Sequence, residues 1–144
     1  MGMPSDAWVA EFTRRTAATM LAFHGTRFVE VSAERARLEL DFKPELTQPT
    51  GLFHAGAIIS LADEACTALA AAHAMPDGGW DPAKFPLTIQ LSANLIRNTN
   101  RGRITAEATP LHTGKTTMVV QSTVKDEEGR LLAAVTATLI VPGR

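Results

Sequence analysis

Small and apolar residues dominate one long stretch in the middle of the chain, residues 55–75. At 3.6 residues per turn, this stretch predicts a helix that is apolar on nearly every side and is therefore buried. Ser60, Asp63 and Thr67 are spaced so that they share one face of this helix. Because an ionised carboxylate is rarely buried without a partner or a function, we expect the function of the protein to reside on this face.

The positions before this stretch predict a first helix and a pair of strands. Ser5 is typical of an N-cap and Gly25 of a helix end, so we expect one helix between them. Alternating apolar and polar residues over 26–42 predict two strands joined by a turn at 33–34. The prolines of residues 43–53 indicate a loop. The apolar stripe of the first helix comprises Trp8, Val9, Phe12, Met20 and Leu21.

The last third of the chain alternates more regularly and predicts four strands. Short turns that contain glycine separate them, so we expect an antiparallel meander. Together these elements predict one α+β domain over residues 1–144, with an N-terminal helix within 1–25 and a core over 26–141. The four strands are expected at 87–97, 103–111, 116–125 and 131–141.

Composition and charge narrow the class of protein. Of the 144 residues, 45% are hydrophobic and 20% are charged, as in ordinary globular domains. The net charge of −1 gives no reason to expect nucleic acid or a membrane surface as a partner. Adjacent acids in the middle of 55–75 argue against a membrane span, and the single cysteine, Cys66, gives no sign of an oxidising compartment. We therefore expect a cytoplasmic protein.

Gln48, Gly51, His54, Gly56 and Asp63 lie before and within the central helix. In this order and spacing they resemble the signature of a known family, the hotdog-fold acyl-CoA thioesterases of the phenylacetate-degradation (PaaI-like) type. The order of elements over 26–141 also matches that fold. The resemblance implies an antiparallel sheet wrapped around one long central helix, two chains joined into one continuous sheet, and dimers that often pair into tetramers.

Two positions depart from the usual pattern of this family. Ala55 stands where the first glycine of a His-Gly-Gly sequence is common, and Gln48 stands where many members have asparagine. One branch of the superfamily is similar in having glutamine there and a threonine four residues after the acid. Gln48, Asp63 and Thr67 keep the spacing of that branch.

The chemistry of thioester hydrolysis explains why such residues would be used. The reaction needs a donor that stabilises the developing oxyanion and a group that delivers water or forms an acyl intermediate. The Ala55 N–H at the start of the central helix could serve as this donor, because free N–H groups and the positive end of the helix dipole point outward there. Asp63 lies about 12 Å further along the helix at ~1.5 Å per residue, so one chain cannot easily supply both groups to one site.

A dimer would remove this difficulty, and a helix apolar on nearly every side needs a second layer that a homodimer could supply. The resemblance implies that Asp63 of one chain faces Ala55 of its partner. Asp63 is then general base or nucleophile, Thr67 orients the water, and Gln48 contacts the thioester or the water. His54 is placed with the catalytic residues, where it fixes the helix start and its loop or, as the less favoured role, transfers a proton. Gly56 is expected to contact the substrate at the helix start.

Structural interpretations remain open for several of these residues. Asp63 could be a buried carboxylate satisfied by hydroxyl and amide groups, Gln48 could tie down its own loop, and Thr67 could bond back to its own helix. Glu64 points about 100° away from Asp63 and is expected to be solvated or structurally paired. Cys66 is expected to be packed and inert, because no base at helical spacing would activate its thiol.

Basic residues near the turns of the last strands are candidates for contact with coenzyme A. Arg97, Arg101, Arg103 and Lys115 are expected to cluster, either as a solvated edge or, for Arg97 and Arg101, as ligands of the coenzyme A phosphates. The histidines lack metal-ligand spacing and the chain lacks a dinucleotide fingerprint, so we expect no metal and no cofactor other than the coenzyme A of the substrate.

The combined expectation is an acyl-CoA thioesterase, assembled as a homodimer or a dimer of dimers, with an acyl pocket between the central helix and the strand over 87–95. Two alternatives on the same fold stay open. One is a protein that binds acyl-CoA without catalysis, and the other is an enoyl-CoA hydratase or dehydratase.

Overall fold

A long helix packed against an antiparallel sheet of six strands forms the body of the protein. The computed structural model describes residues 2–142, so the extreme ends of the predicted domain 1–144 lie outside the described residues. Two 3-10 turns, Pro44–Leu46 and Pro82–Lys84, flank the long helix. The helices are α1 (Ser5–Arg15), α2 (Met20–His24) and α3 (Ala55–Ala74). The strands are β1 (Arg27–Val31), β2 (Ala36–Asp41), β3 (Leu87–Leu95), β4 (Arg103–Thr113), β5 (Thr117–Lys125) and β6 (Leu131–Ile140).

The strand order of the sheet is β1-β2-β4-β5-β6-β3, with every neighbouring pair antiparallel. β4, β5 and β6 form the predicted meander, but the prediction was wrong for β3, which pairs with β6 instead of β4. The N–H groups of Ile96 and Arg97 donate to the carbonyl of Leu132, so the chain leaving β3 stays beside β6 before it crosses to β4. β3 is consequently an edge strand of the sheet.

The central helix is buried, as its composition predicts. Twelve of its residues between Ala57 and Ala72 are buried, and it contacts all six strands. By length and composition alone α3 could cross a membrane, but most of it is enclosed by the fold. Its alanines allow the sheet to approach closely, so that the helix becomes the centre of the core.

The N-terminal segment is two helices rather than the single helix predicted. The chain breaks at residues 16–19, where the Thr16 hydroxyl donates to the Phe12 carbonyl and the Thr19 hydroxyl donates to the Thr16 carbonyl, each at 2.7 Å. These side-chain bonds compete with helix continuation. Gly25 does end α2, with a left-handed φ of 86°.

Two residues of the predicted first helix, Ser5 and Met20, do not have the roles that the sequence indicated. Pro4, not Ser5, is the N-cap of α1, and the Ser5 hydroxyl instead accepts from the Val31 N–H at 3.0 Å, which ties α1 to β1. Met20 was predicted in the apolar stripe but is 55% exposed, because α2 turns away from the line of α1. Trp8 and Phe12 are buried as predicted.

Candidate active site

Asp63 lies under the edge of the sheet, in the middle of α3. Its carboxylate accepts a hydrogen bond of 2.7 Å from the hydroxyl of Thr88 on β3. Burial raises the pKa of Asp63 above its ordinary value, and the bond from Thr88 opposes this rise. The carboxylate is therefore partly desolvated and held by a single side-chain hydroxyl, which leaves it capacity to accept a proton from a reacting water.

Thr88 is a residue of this site that the sequence did not indicate. In an alternating strand, the apolar residues are expected to face the core, which would point Thr88 outward. The structure has the opposite arrangement: Thr88 alone of the nine residues of β3 is partly buried, while Leu87 and Ile89 are 59% and 55% exposed. The sequence signal that could have indicated this arrangement is the row of apolar residues at the odd positions of β3, for which the chain supplies no further strand.

Glu64 was expected to be solvated or paired, and the structure corrects this. Burial raises the pKa of Glu64 to about 7, and the nearby charge of Asp63 contributes to the rise. Glu64 forms no hydrogen bond and no ion pair within residues 2–142. It lines a pocket between α3 and the N-terminal helices. Two adjacent acids of one helix thus have different surroundings.

The next residues of α3 are enclosed in the core. The Cys66 thiol lies 3.7 Å from the carbonyl oxygen of Val120, and burial raises its pKa to about 12, so it is packed and unreactive as predicted. Thr67 is 6% exposed and lies one turn after Asp63 on the same face. The helix therefore keeps Thr67 on the face that carries Asp63.

The start of α3 leaves one backbone donor unused. The Gly56 N–H donates to Nδ1 of His54 at 2.8 Å, and the N–H groups of Ala57 and Ile58 both donate to the His54 carbonyl. Among the described residues, none accepts from the N–H of Ala55. This N–H is therefore the donor of the first turn that remains available to a ligand.

His54 and Gly56 form a tight cap that exposes this donor. His54 is the N-cap of α3, and its own N–H donates to the Leu46 carbonyl at 2.8 Å. A Cβ at Gly56 would lie 3.0 Å from Nδ1 of His54, so glycine permits the imidazole to approach the helix. Because Nδ1 accepts a hydrogen bond, a neutral His54 carries its proton on Nε2.

The side chain of Gln48 contacts its own loop in this chain. Its Oε1 accepts from both the N–H and the hydroxyl of Thr50, the latter at 2.7 Å. Its backbone N–H donates to the Leu52 carbonyl at 2.9 Å, which closes the loop that leads into α3. A carbonyl oxygen fixed in this way leaves the amide NH2 of Gln48 as the donor with which it could reach a second molecule.

The basic residues expected to cluster do not all lie together. Lys115 lies at the turn after β4, whereas Arg103 begins β4, which separates them by roughly 34 Å at ~3.4 Å per residue. Successive turns of a meander lie at opposite ends of the sheet, so basic residues that are close in sequence can be far apart in the fold. Arg101 forms a 3.4 Å ion pair with Glu128, and its side chain is 76% exposed.

The loop that carries Arg97 and Arg101 lies against the start of α3. The Asn98 side-chain amide donates to the Phe53 carbonyl at 2.8 Å, and the Phe53 N–H donates to the Thr99 carbonyl at 3.2 Å. Phe53 directly precedes the cap residue His54. The structure therefore places the basic loop next to the free N–H of Ala55, a contact that no local pattern indicated. The described residues bring together no group of three His, Cys, Asp or Glu side chains that could hold a metal ion.

Comparisons with known proteins agree with this architecture. Residues 50–133 match the model of the thioesterase superfamily. The 1,4-dihydroxy-2-naphthoyl-CoA hydrolase of Listeria monocytogenes is 29% identical over 117 residues, which cover 81% of this chain and 90% of that protein. The solved thioesterase HI1161 of Haemophilus influenzae has a TM-score of 0.81 at 21% identity, over 92% of this chain and 89% of that one, and shows the shared fold.

Two solved variants of the thioesterase SAV0944 from Staphylococcus aureus are also similar. Each covers 85% of this chain and 98% of that one, with TM-scores of 0.78 and 0.77 at 25% and 27% identity. One variant replaces a glutamine by alanine, and the other replaces a glutamate 15 positions later. Because the family model covers more than half of the chain, the protein belongs to the thioesterase superfamily and is a thioester hydrolase with the hotdog fold.

Proposed function

We infer that the protein is an acyl-CoA thioesterase whose active site is completed by a second copy of the chain. The observation that carries the proposal is the separation of two complementary groups along α3. The Ala55 N–H at the helix start is a free donor, and Asp63 is a desolvated carboxylate about 12 Å further along at ~1.5 Å per residue. One thioester carbonyl cannot contact both groups of a single helix.

A second chain would bring the two groups together. Asp63 lies beneath β3, an edge strand whose backbone groups are unpaired on one side and whose apolar residues are exposed. Such an edge is a template for pairing with another strand. An isologous pairing of two β3 strands would place two α3 helices side by side, with Asp63 of each facing the Ala55 N–H of the other. Two such dimers could pair further into a tetramer.

The chemistry then follows from the two groups. The thioester carbonyl oxygen accepts from the Ala55 N–H, where the helix dipole stabilises the negative charge that develops. Ionised Asp63 takes a proton from a water molecule whose oxygen adds to the carbonyl carbon, and Thr67 orients this water. The C–S bond then breaks, protonated Asp63 returns its proton to the thiolate of coenzyme A, and the free acid leaves. Attack by Asp63 itself, through a mixed anhydride, is the second route open to the same geometry.

The spacing of two side chains supports a role for Gln48 in this site. Gln48 and Asp63 are 15 residues apart, the separation of the glutamine and the glutamate that were replaced in the two solved SAV0944 variants. The amide NH2 of Gln48 would contact the thioester or the attacking water.

Coenzyme A is the proposed leaving group, on two grounds. The Listeria relative is a CoA hydrolase by name. Arg97 and Arg101 lie on the loop that is hydrogen-bonded to Phe53, beside the helix start. Their guanidinium groups would hold the phosphates, because planar forked donors match phosphate oxygens.

Mixed dimers test the division of the site between chains. Asp63→Asn removes the base, and Ala55→Pro removes the N–H donor at a helix position that tolerates proline. Each variant alone should release little thiol from a panel of acyl-CoA thioesters. When the two variants are unfolded together and refolded, half of the dimers should be mixed, and each mixed dimer should contain one intact site. About one quarter of wild-type activity should return.

The control is the same refolding of each variant alone, which should restore nothing. If the mixture remains as inactive as its components, the two groups do not act across an interface. If the wild type binds acyl-CoA but releases no thiol from any member of the panel, the protein is a binding protein and the proposal fails.

A further inference from the structure

An apolar pocket adjoins the proposed site on the side of α3 that Glu64 faces. It has a volume of about 210 Å³ and lies between α3, the N-terminal helices and the segment before β3. The carboxylate of Glu64 and the guanidinium of Arg15 are the charged groups on its wall. The apolar wall is formed by Phe12, Leu21, Trp80 and Phe85.

The carboxylate of Glu64 is not used by the fold. Arg15, the cation on the pocket wall, bonds to Glu11 at 2.9 Å on α1 and lies over the ring of Trp80 at 5.1 Å. Glu64 itself has no hydrogen-bonding partner among residues 2–142. A carboxyl group that is desolvated by aromatic walls destabilises the fold. A residue that is unfavourable for stability in this way is a candidate for ligand recognition.

The pocket is connected to the reacting groups at two points. Glu64 directly follows Asp63 on α3, and Phe85 lies three residues before Thr88, whose hydroxyl donates to Asp63 at 2.7 Å. A ligand whose carbonyl lies near Asp63 could therefore extend into the pocket. The volume is below the ~300 Å³ at which pockets usually hold a whole ligand, so the pocket suits one end of a larger molecule.

We propose that this pocket receives the distal end of the acyl group, that its aromatic walls favour an aryl end, and that Glu64 selects acyl groups with a hydroxyl at that end. Glu64 is thus a specificity-determining residue on the side of α3 that faces the N-terminal helices rather than strand β3. The hydroxyl would donate to the carboxylate, and Trp80 and Phe85 would contact the ring. The inference rests on the proposed thioesterase function for the identity of the ligand, but the recognition of a phenolic end by the pocket can be tested without catalysis.

The kinetic test uses one matched pair of substrates, 3-(4-hydroxyphenyl)propanoyl-CoA and 3-phenylpropanoyl-CoA. The wild type should have the higher kcat/KM for the hydroxylated member. Glu64→Leu should lower the ratio of the two kcat/KM values by about 10- to 100-fold, the range expected for one hydrogen bond to a charged group. Glu64→Gln should lower it less, because an amide oxygen still accepts. Glu34→Gln, an identical change at an exposed turn, should leave the ratio unchanged.

A binding test makes the result independent of catalysis. p-Cresol and toluene are titrated into the protein while the indole N–H signal of Trp80 is followed by NMR, with Trp80→Phe identifying that signal. p-Cresol should shift the signal at lower concentration than toluene, and Glu64→Leu should abolish the difference. An unchanged substrate ratio in Glu64→Leu, or equal binding of the two probes by the wild type, would overturn the inference. A wild type that binds p-cresol selectively but hydrolyses no thioester would instead overturn the proposed function alone.

Discussion

Asp63 and Glu64 are neighbours on one helix, yet their carboxyl groups lie on two faces of α3 with different surroundings. Asp63 accepts a hydrogen bond from Thr88 beneath an unpaired sheet edge. Glu64 faces aromatic side chains and has no partner within the described chain. Burial raises the pKa of both, but only for Glu64 does it bring the pKa to about 7. The comparison teaches that a rotation of about 100° around a buried helix is enough to give two adjacent carboxyl groups different surroundings.

The largest expected effect is the loss of catalysis on the Asp63 face. Asp63→Asn keeps the size of the side chain and can still accept from Thr88, but it cannot take a proton. We expect kcat to fall by about 100- to 10,000-fold, the range of general acid–base catalysis, in a protein with an unchanged circular dichroism spectrum. The corresponding acid-to-amide substitution at the neighbour, Glu64→Gln, should retain kcat within about tenfold for an unsubstituted acyl group, because Glu64 is not the base and such a group has no hydroxyl for it to bind. Equal losses in the two variants would contradict the division of roles.

The second effect concerns the helix start. Ala55→Pro deletes the free N–H, and the preceding residue His54 already has φ −65° and ψ 135°, which a following proline favours. The rate should fall by about 100- to 1,000-fold, as when one oxyanion donor is removed, while the urea midpoint stays near that of the wild type. Ala55→Gly, which keeps the N–H, is the control and should remain active. A fully active proline variant would remove Ala55 from the site.

The third effect is on stability and belongs to the Glu64 face. The folded state binds the Glu64 proton more tightly than the unfolded state, because its pKa is about 7 instead of 4.5. The fold therefore loses stability as the pH rises from about 4.5 through 7. Glu64→Gln should remove this loss and stabilise the protein by about 1 to 3 kcal/mol at pH 8, the full shift being an upper limit for a half-buried group.

Urea unfolding at fixed protein concentration measures this gain. At pH 4 the Glu64→Gln variant and the wild type should be equally stable. Glu34→Gln should show no comparable pH dependence. A gain that persists at pH 4 would mean that packing, and not ionisation, separates the two proteins.

The smallest effect tests the bond that distinguishes Asp63 from Glu64. The hydrogen bond from Thr88 lowers the pKa of Asp63, so Thr88→Val should raise it. Because the base must be ionised, the acid limb of the pH profile of kcat/KM should move to higher pH. The rate at pH 8 should change by less than about tenfold, because Thr88 does not itself take part in the proton transfer. Thr88→Ser, which keeps the hydroxyl, should leave the profile in place. An acid limb that does not move in Thr88→Val would show that this hydroxyl does not set the ionisation of the base.

Much of the fold could be predicted because the local periodicity of apolar and polar residues indicates most of its helices and strands. The structure contains the elements that these patterns indicate: the central helix, the strand pair near the N-terminus and the strands of the last third. The break between α1 and α2 was missed because Thr16 and Thr19 are compatible with a helix. In the structure both hydroxyls donate to backbone carbonyls at the break. The position of β3 was missed because a meander and a crossed connection have the same pattern of residues.

The residues of the candidate site likewise divide into those that local sequence indicated and those that it did not. Motif and spacing identified Asp63, Thr67 and the helix start at His54. They did not identify Thr88, because the alternation of β3 assigned it to the wrong side. They assigned Glu64 to solvent or to a structural pair, because sequence spacing gives the direction of a side chain around its helix but not what lies there.

By itself, the sequence determined that a buried helix carries an acid, that its start presents backbone donors behind a histidine, and that the chain resembles hotdog thioesterases. These conclusions need only neighbours within a few turns, whose contacts are set by helical and strand geometry. The tertiary structure alone decided that β3 is an edge, that Thr88 holds Asp63, that the basic loop lies beside Ala55, and that Glu64 lines an aromatic pocket. Each of these depends on residues far apart in the chain, which meet only when the whole core is packed.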